Sequence, residues 1–313
     1  MATTRIVEPV GFGGPEQLRL TEIETPLPGP GEVRITVTAI GVNPIDWKLY
    51  SGAFGTNPSL LHAIGSEAAG VVDVVGDDVT AWHQGDAVIA TVVPGTAYAD
   101  AIVVPASGLI AQPAGMSAEQ AAGLPVVAGT AAHAVQAVGL AAGDTVVIHG
   151  AAGGVGGLTV QLARRRGARV IATASAANHD YLRSLGAEPV AYGDGLEGRI
   201  RALAPEGVDA AIDAVGTDEA LETSVAIVAD PQRVVTMAGM QRAAELGIKA
   251  IGAGPGADPG EDIRRAARPE VIALVAAGEL SFPIARTYPL ADTAEAHRDS
   301  QAGHTRGKLV VLP

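Results

Sequence analysis

The segment His149-Gly-Ala-Ala-Gly-Gly-Val-Gly-Gly157 is the first place where this sequence could do chemistry. It follows Thr145-Val-Val-Ile-His149, which reads as a buried strand, and opens Val155 to Arg166, which reads as a helix carrying Val155, Leu158 and Leu162 on one stripe. In a G-x-G-x-x-G frame the key positions are Ala151, Gly153 and Gly156, with Gly154 and Val155 between the last two. Glycines let a backbone approach a diphosphate, and the start of a helix offers free N–H groups and a positive dipole end. A tight turn without a ligand is the alternative, and the strand–loop–helix context argues for a dinucleotide.

The next strand, Arg169-Val-Ile-Ala-Thr-Ala174, ends in Ser175-Ala-Ala-Asn178, with no Asp or Glu where an NAD site places one against the ribose 2′-OH. A carboxylate there would repel a 2′-phosphate, whereas Ser175 and Asn178 can donate to one. NADP(H) is the expected cofactor. Ser175 as a plain helix cap is compatible with that reading. The loop itself has no Lys or Arg, so any cation must come from Arg183, His179 or elsewhere.

Several functions are excluded by composition. Cys is absent, which removes disulfides, thiolate zinc sites and a cysteine nucleophile. A formal charge of -13 and 3% aromatic residues oppose phosphate-rich surfaces and base stacking, so neither nucleic acid nor membrane is an expected partner. The seven histidines show no H-x-x-x-H spacing, and no metal is expected. The opening residues lack the apolar run of a signal peptide, so the expected location is cytoplasmic.

Around the glycine loop the chain changes rhythm. Residues up to about 115 read as all-β, with strands over 33–40, 69–75, 86–93 and 101–105 separated by Gly, Pro and Asp clusters. From Ala118 to Gly139 the composition is helical, with an interruption expected at Gly123 to Pro125. Strands and helices then alternate through 189–192, 208–213 and 233–237, which predicts a parallel, doubly wound sheet. The tail Gly307 to Pro313 reads as a strand that returns to the N-terminal β region, and Gly252 to Gly260 as a loop that either lines a substrate mouth or merely connects.

The order of Gly41-Val-Asn-Pro-Ile-Asp-Trp-Lys48, Ile64-Gly-Ser-Glu-Ala-Ala-Gly-Val-Val72, Gly85-Asp-Ala-Val88, Ala151 to Gly156, Ser184-Leu-Gly-Ala187 and Gly307-Lys-Leu resembles the medium-chain dehydrogenase/reductases, in their zinc-free quinone oxidoreductase branch. The resemblance covers essentially the whole chain. It implies an α/β protein: a GroES-like β domain over 1–118, completed by 285–313, and a Rossmann NADP(H)-binding domain over 119–284, with a cofactor cleft at their junction. Zinc-dependent relatives carry Cys where this chain has Asn43 and His where it has Ser66; Glu67 alone remains of their Gly-His-Glu signature.

What the resemblance implies of function is hydride delivery from NADPH to a carbon made electrophilic by conjugation, in a quinone or an enone. Asn43 is then expected near the nicotinamide, or else serves as a turn residue. Lys48 is placed to polarise the acceptor oxygen or help supply a proton, or is a solvated surface lysine; Tyr50 is a donor option or a packed aromatic. Asp46 is expected to be structural, and Trp47 and Phe54 to stack on substrate or fill core. Thr130 falls near the nicotinamide amide, Tyr192 near the 2′-phosphate, and Ala238 and Gly239 at a strand end bordering the cleft. A homodimer is implied as well. Two alternatives stand: a biosynthetic enoyl-thioester reductase, and a non-catalytic NADPH-binding sensor.

Overall fold

The computed structural model describes residues 2–92 and 95–313, so Val93, the last residue of the strand expected over 86–93, lies outside the described residues. In chain order the strands are β1 (Thr3–Pro9), β2 (Leu18–Glu24), β3 (Glu32–Gly41), β4 (Glu67–Val75), β5 (Ala87–Thr91), β6 (Ala101–Pro105), β7 (Leu109–Ala111), β8 (Thr145–His149), β9 (Arg169–Thr173), β10 (Glu188–Val190), β11 (Ala210–Asp213), β12 (Val234–Thr236), β13 (Lys249–Ala250), β14 (Ile284–Pro289) and β15 (Lys308–Leu312). Two compact units divide them. One comprises residues 1–126, 272–276 and 283–313; the other comprises 127–271 and 277–282.

The first unit is built on a seven-stranded sheet in the order β14-β15-β3-β4-β5-β7, with β6 also paired to β3, and a separate β1–β2 hairpin. Alternation drives β3: Val33, Ile35, Val37 and Ala39 are buried on one face while Arg34, Thr36 and Thr38 point the other way. The C-terminal strand β15 lies between β14 and β3, antiparallel to β3. A bulge between Val37 and Ala39 brings the β3 backbone close to Gly70 of β4.

The second unit carries a six-stranded parallel sheet in the order β10-β9-β8-β11-β12-β13. Counting its own strands, that is 3-2-1-4-5-6, the doubly wound Rossmann order. The strands are short with apolar centres, as a sheet covered on both faces requires: Val146, Val147, Ile148, Ile171, Ala211 and Ile212 are all fully buried.

The helix at Ala118–Ala137 runs on through Pro125. Proline removes a backbone donor and crowds the preceding turn, which is why the sequence suggests a break at Gly123 to Pro125. The side chain of Glu67 compensates, its Oε2 accepting the Val126 N–H at 2.7 Å immediately after the proline. The β1–β2 hairpin, the two-residue β13 and the helices Met240–Leu246, Glu261–Ala276 and Thr293–Ala302 are elements that periodicity did not single out. Among the described residues no helix is long and apolar enough to cross a membrane.

Gly70→Ala would put a methyl carbon 2.4 Å from the Thr36 carbonyl oxygen, against backbone that cannot yield without opening the ladder. We expect a loss of about 1–3 kcal/mol or more, read as a lower urea midpoint at unchanged slope. An unshifted midpoint would show that the bulge relaxes freely.

Candidate active site

In the first unit a buried ammonium organises the polar interior. Lys308, at the start of β15, is 4% exposed, and its Nζ donates to Glu67 Oε1 at 2.7 Å and to Asn43 Oδ1 at 2.6 Å. Asn43 Nδ2 donates to the same Glu67 oxygen at 2.8 Å. Glu67 is fully buried, and with Val126 on its second oxygen both ends of the carboxylate are satisfied. Gly41 is required beside it, because a Cβ there would lie 2.3 Å from Glu67 Oε1 and 2.6 Å from the Ala122 carbonyl oxygen.

A second buried chain starts one turn along. Asn43 precedes the helix Pro44–Tyr50, and the Asp46 carboxylate accepts its N–H at 2.9 Å, the Tyr98 hydroxyl at 2.9 Å, and the Gly65 N–H at 3.1 Å. The Tyr98 proton is committed to Asp46, so His297 donates Nε2–H to the Tyr98 oxygen at 3.0 Å. His297 Nδ1 is then an acceptor and takes the Tyr50 hydroxyl proton at 2.8 Å. Tyr50 is fully buried and stacked on that imidazole, 5.7 Å between centroids, so the structure gives it a packed role with its hydroxyl already engaged.

Burial pushes Asp46 up to about 6, against the opposing hydrogen bonds from Asn43, Tyr98 and Gly65. Burial alone pulls His297 down to about 3. Lys48 is half-buried on the same helix, its Nζ 5.6 Å from the centre of the Trp47 ring. The Trp47 indole donates to Ser300 at 3.2 Å, and Phe54 is partly buried.

The donor set around position 43 does not fit zinc. Asn43 and Glu67 already share an ammonium, and the neighbouring Ser66 offers a hydroxyl directed at Asp46. Among the described residues no group of three or more His, Asp or Glu could hold a metal.

In the second unit the glycine loop caps β8. Gly153 precedes the helix Gly154–Arg165 with no side-chain cap, so the first N–H groups of that helix, on Gly154, Val155 and Gly156, are open to an anion. At Gly156 a Cβ would stand 2.3 Å from the Gly150 carbonyl oxygen and 2.7 Å from Ala151 Cα, so only glycine fits there. Gly150 makes the turn with φ +68°. These features fit a dinucleotide diphosphate.

Beneath the loop lies a row of buried polar side chains at the carboxyl ends of four adjacent strands: Thr173 on β9, His149 on β8, Asp213 on β11 and Thr236 on β12. His149 Nδ1 meets Thr173 Oγ1 at 3.1 Å, and burial lowers the imidazole to about 4 despite Asp213 and Glu219. Asp213 accepts the N–H groups of Val215 and Gly216 and the Thr236 hydroxyl, and Thr236 Oγ1 accepts the Ala238 and Gly239 N–H groups. The loops that bear Ala238 and Gly239 are thus held from below.

Ser175 and Asn178 are bonded to each other at 3.2 Å just past β9. Tyr192, just past β10, is 53% exposed. Arg199 donates to the carbonyls of Ala191, Gly193 and Asp194, which places a guanidinium on the turn that carries Tyr192; Arg183 pairs instead with Asp180. Thr130 is buried on its helix, and its Oγ1 accepts from Arg264 Nη1 at 3.3 Å.

Sequence reading missed the partners that fix these groups: Lys308, Tyr98, His297 and Arg264. The one available signal for Lys308 was a lysine opening an otherwise apolar run, Lys308-Leu-Val-Val-Leu312.

Removing one end of the Lys308–Glu67 pair strands a buried charge. Glu67→Gln or Lys308→Met should each cost about 3–5 kcal/mol, with the double variant recovering part of the loss, as measured by chemical unfolding. Singles within about 1 kcal/mol of the parent would contradict a dry, paired ammonium.

A histidine held neutral stabilises the fold fully above its ordinary value of 6.5, and that contribution is lost as pH falls toward about 3. Asp46 acts with the opposite sign, since the folded form holds its proton more tightly between 3.8 and about 6. His297→Gln should therefore unfold at a lower temperature than the parent at pH about 7, with the gap narrowing as pH drops to about 4. A gap that is constant or widens on acidification would mean His297 is not held neutral.

Comparison with known proteins agrees with this architecture. Residues 29–126 match the alcohol dehydrogenase GroES-like domain, and residues 185–311 match the family described as zinc-binding dehydrogenase. A quinone oxidoreductase from Pseudomonas aeruginosa is 32% identical over 319 residues, spanning 96% of this chain and 97% of that protein. A 2-haloacrylate reductase from Burkholderia sp is 32% identical over 330 residues, 96% of each. The structure of Escherichia coli quinone oxidoreductase complexed with NADPH superposes with a TM-score of 0.87 at 27% identity, covering 99% of this chain and all of that one. With a GroES-like β unit, a Rossmann unit and full-length likeness at this level, the chain belongs to the medium-chain dehydrogenase/reductase superfamily, in its zinc-free quinone oxidoreductase branch.

Proposed function

We propose that this chain is an NADPH-dependent reductase of conjugated acceptors, quinones or α,β-unsaturated carbonyl compounds, working without a metal. The observation that carries the reading is the Lys308 ammonium set between Asn43 and Glu67, which fills with a protonated amine the place where a Lewis acid would need open ligands. Without such a Lewis acid, the acceptor must be electrophilic through its own conjugation. NADPH, when bound, supplies the hydride. The relatives act on acceptors of this kind, a quinone in one case and a haloacrylate in another, as their names state.

In this reading the second unit holds the dinucleotide. The N–H groups of Gly154, Val155 and Gly156 take the diphosphate, with Ala151 and Gly153 shaping the approach. Ser175, Asn178 and Tyr192 surround the 2′-phosphate, and residues 174–179 directly after β9 contain no carboxylate to repel it. Ala238 and Gly239 border the nicotinamide half, together with Thr130. Asn43 presents an amide fixed on both sides, and Lys48 stands beside the acceptor oxygen as enolate charge develops. Tyr50 keeps the helix that carries Lys48 in place through His297. A homodimeric, cytoplasmic enzyme is part of the same proposal.

Consumption of NADPH with a panel of quinones and enones tests this. Turnover should favour NADPH over NADH by about tenfold or more in kcat/KM, as expected for charge-assisted hydrogen bonds to one phosphate. Ser175→Asp should erase that preference. Tight NADPH binding with no oxidation by any acceptor would instead support a sensor.

A further inference from the structure

At the carboxyl edge of the second unit's sheet a guanidinium is built in with no carboxylate in hydrogen-bond contact among the described residues. The helix Glu261–Ala276 crosses the helix Ala118–Ala137 closely at Gly129, where a Cβ would lie 3.0 Å from Arg264 Cβ and 3.3 Å from Arg268 Nε. That contact sets Arg264 against Thr130 and His133. Arg264 Nε donates to His133 Nδ1 at 3.3 Å, and Nη1 to Thr130 Oγ1 at 3.3 Å. Both acceptors are neutral. Arg264 Nη2 is buried and has no hydrogen-bond partner among the described residues.

The arrangement is held from behind. His133 is 1% exposed, and because its Nδ1 accepts from Arg264, its Nε2–H must be the donor to Asp258 Oδ2, at 3.2 Å. Asp258 is itself locked: its N–H bonds the Ala250 carbonyl at the end of β13, its carbonyl accepts from Gly252, and its second oxygen accepts from Gly260. Gly260 packs directly on the His133 ring, where a Cβ would lie 2.2 Å from Cε1. The one carboxylate in the cluster is therefore spent on the histidine and the loop. Burial, and after it the positive charge of Arg268 one turn further along the helix, lowers the Arg264 pKa from its ordinary value against the opposing charge of Asp258.

A partly buried guanidinium whose Nη2 has no hydrogen-bond partner among the described residues is costly unless an anion completes it. Thr130, Arg264 and Asp258 stand in one connected run with Gly252, whose added Cβ would meet Met240 beside Ala238 and Gly239. In open parallel sheets this edge is where ligands bind.

We propose that Arg264, oriented by the Asp258–His133 pair, is the anion-recognising group of the acceptor site, and that the preferred acceptors are α,β-unsaturated carboxylates, the acrylate class. This rests on the reductase reading above and names its substrate. The carboxylate takes the Nη1 and Nη2 edge of the fork bidentately. Hydride adds at the β-carbon, the C=C π pair becomes the Cα–H bond with a solvent-derived proton, and the products are the saturated carboxylate and NADP⁺. Pairing with Arg264 withdraws charge from the carboxylate, which would otherwise deactivate the alkene toward hydride. His133 and Asp258 are positioning residues in this scheme.

The test compares 2-chloroacrylate with its methyl ester in the full-length enzyme, and separately measures equilibrium binding of the saturated acid 2-chloropropionate in the presence of NADP⁺. The parent should reduce the acid with the lower KM. Arg264→Gln should lower the acid-to-ester ratio of kcat/KM by about 10- to 100-fold and abolish 2-chloropropionate binding, while Arg264→Lys retains part of both. His133→Phe should raise KM for the acid more than it lowers kcat, an effect that loss of general stability does not produce. Reduction of the ester but not the acid, an acid-to-ester ratio unchanged in Arg264→Gln, or no binding of 2-chloropropionate to the parent overturns the proposal. Binding that depends on Arg264 without any turnover would overturn the reductase reading and leave the anion site standing.

Discussion

A single buried ammonium governs how the first unit is built. Lys308 enters the interior at the start of β15, the strand contributed by the C-terminal end of the chain, and its charge can be tolerated only if partners are waiting. Glu67 at the start of β4 and Asn43 at the end of the β3 segment meet it. Three distant stretches of sequence are thereby fixed to one point. Glu67 does more than neutralise: its second oxygen supplies the acceptor needed by the backbone just beyond Pro125. The helix that begins in this unit therefore keeps its course because of the same carboxylate that holds the lysine.

The Asp46 chain shows the same economy. A carboxylate with no cation in hydrogen-bond contact is met by neutral donors, two backbone N–H groups and the hydroxyls of Tyr98 and Ser66. Each donor's commitment fixes the next link, so the direction of every proton from Tyr50 to Asp46 follows from counting donors and acceptors. Burial shifts the two titrating members in opposite senses, the acid upward and the imidazole downward, so the imidazole is uncharged at neutral pH.

What the sequence disclosed, and what it withheld, follows from the range of each interaction. The Rossmann sheet was legible because its strands are contiguous apolar runs with glycine or proline stops, and the glycine loop because its function needs no partner outside a short segment. Gly156 announces itself, since a Cβ there meets the Gly150 carbonyl a few residues away. Gly41 does not, because its reason is the Glu67 carboxylate from another strand. Tyr50 and Lys48 look alike in sequence as candidates for chemistry. Burial distinguishes them: Tyr50 is sealed against His297, contributed from near the C-terminus, and Lys48 is partly open. Continuity through Pro125 was hidden for the same reason, as the compensating acceptor lies in β4.

The two units solve one physical problem in opposite ways. In the first, the buried Lys308 ammonium is met by Glu67 and Asn43, and the buried Asp46 carboxylate by neutral donors. In the second, the row Thr173, His149, Asp213 and Thr236 spends its hydrogen bonds on holding loops, and the glycine loop and the Arg264 fork are left with donors to spare. Spare donors at a strand's carboxyl end cost stability in isolation, because each must otherwise be met by water or left unmet. Such a surplus persists when something negatively charged restores the balance. In the proposed function a dinucleotide diphosphate does so at Gly154 to Gly156, and in the proposed acceptor site the guanidinium of Arg264, supported by a histidine that is itself anchored by Asp258, sets the same requirement for the molecule to be reduced.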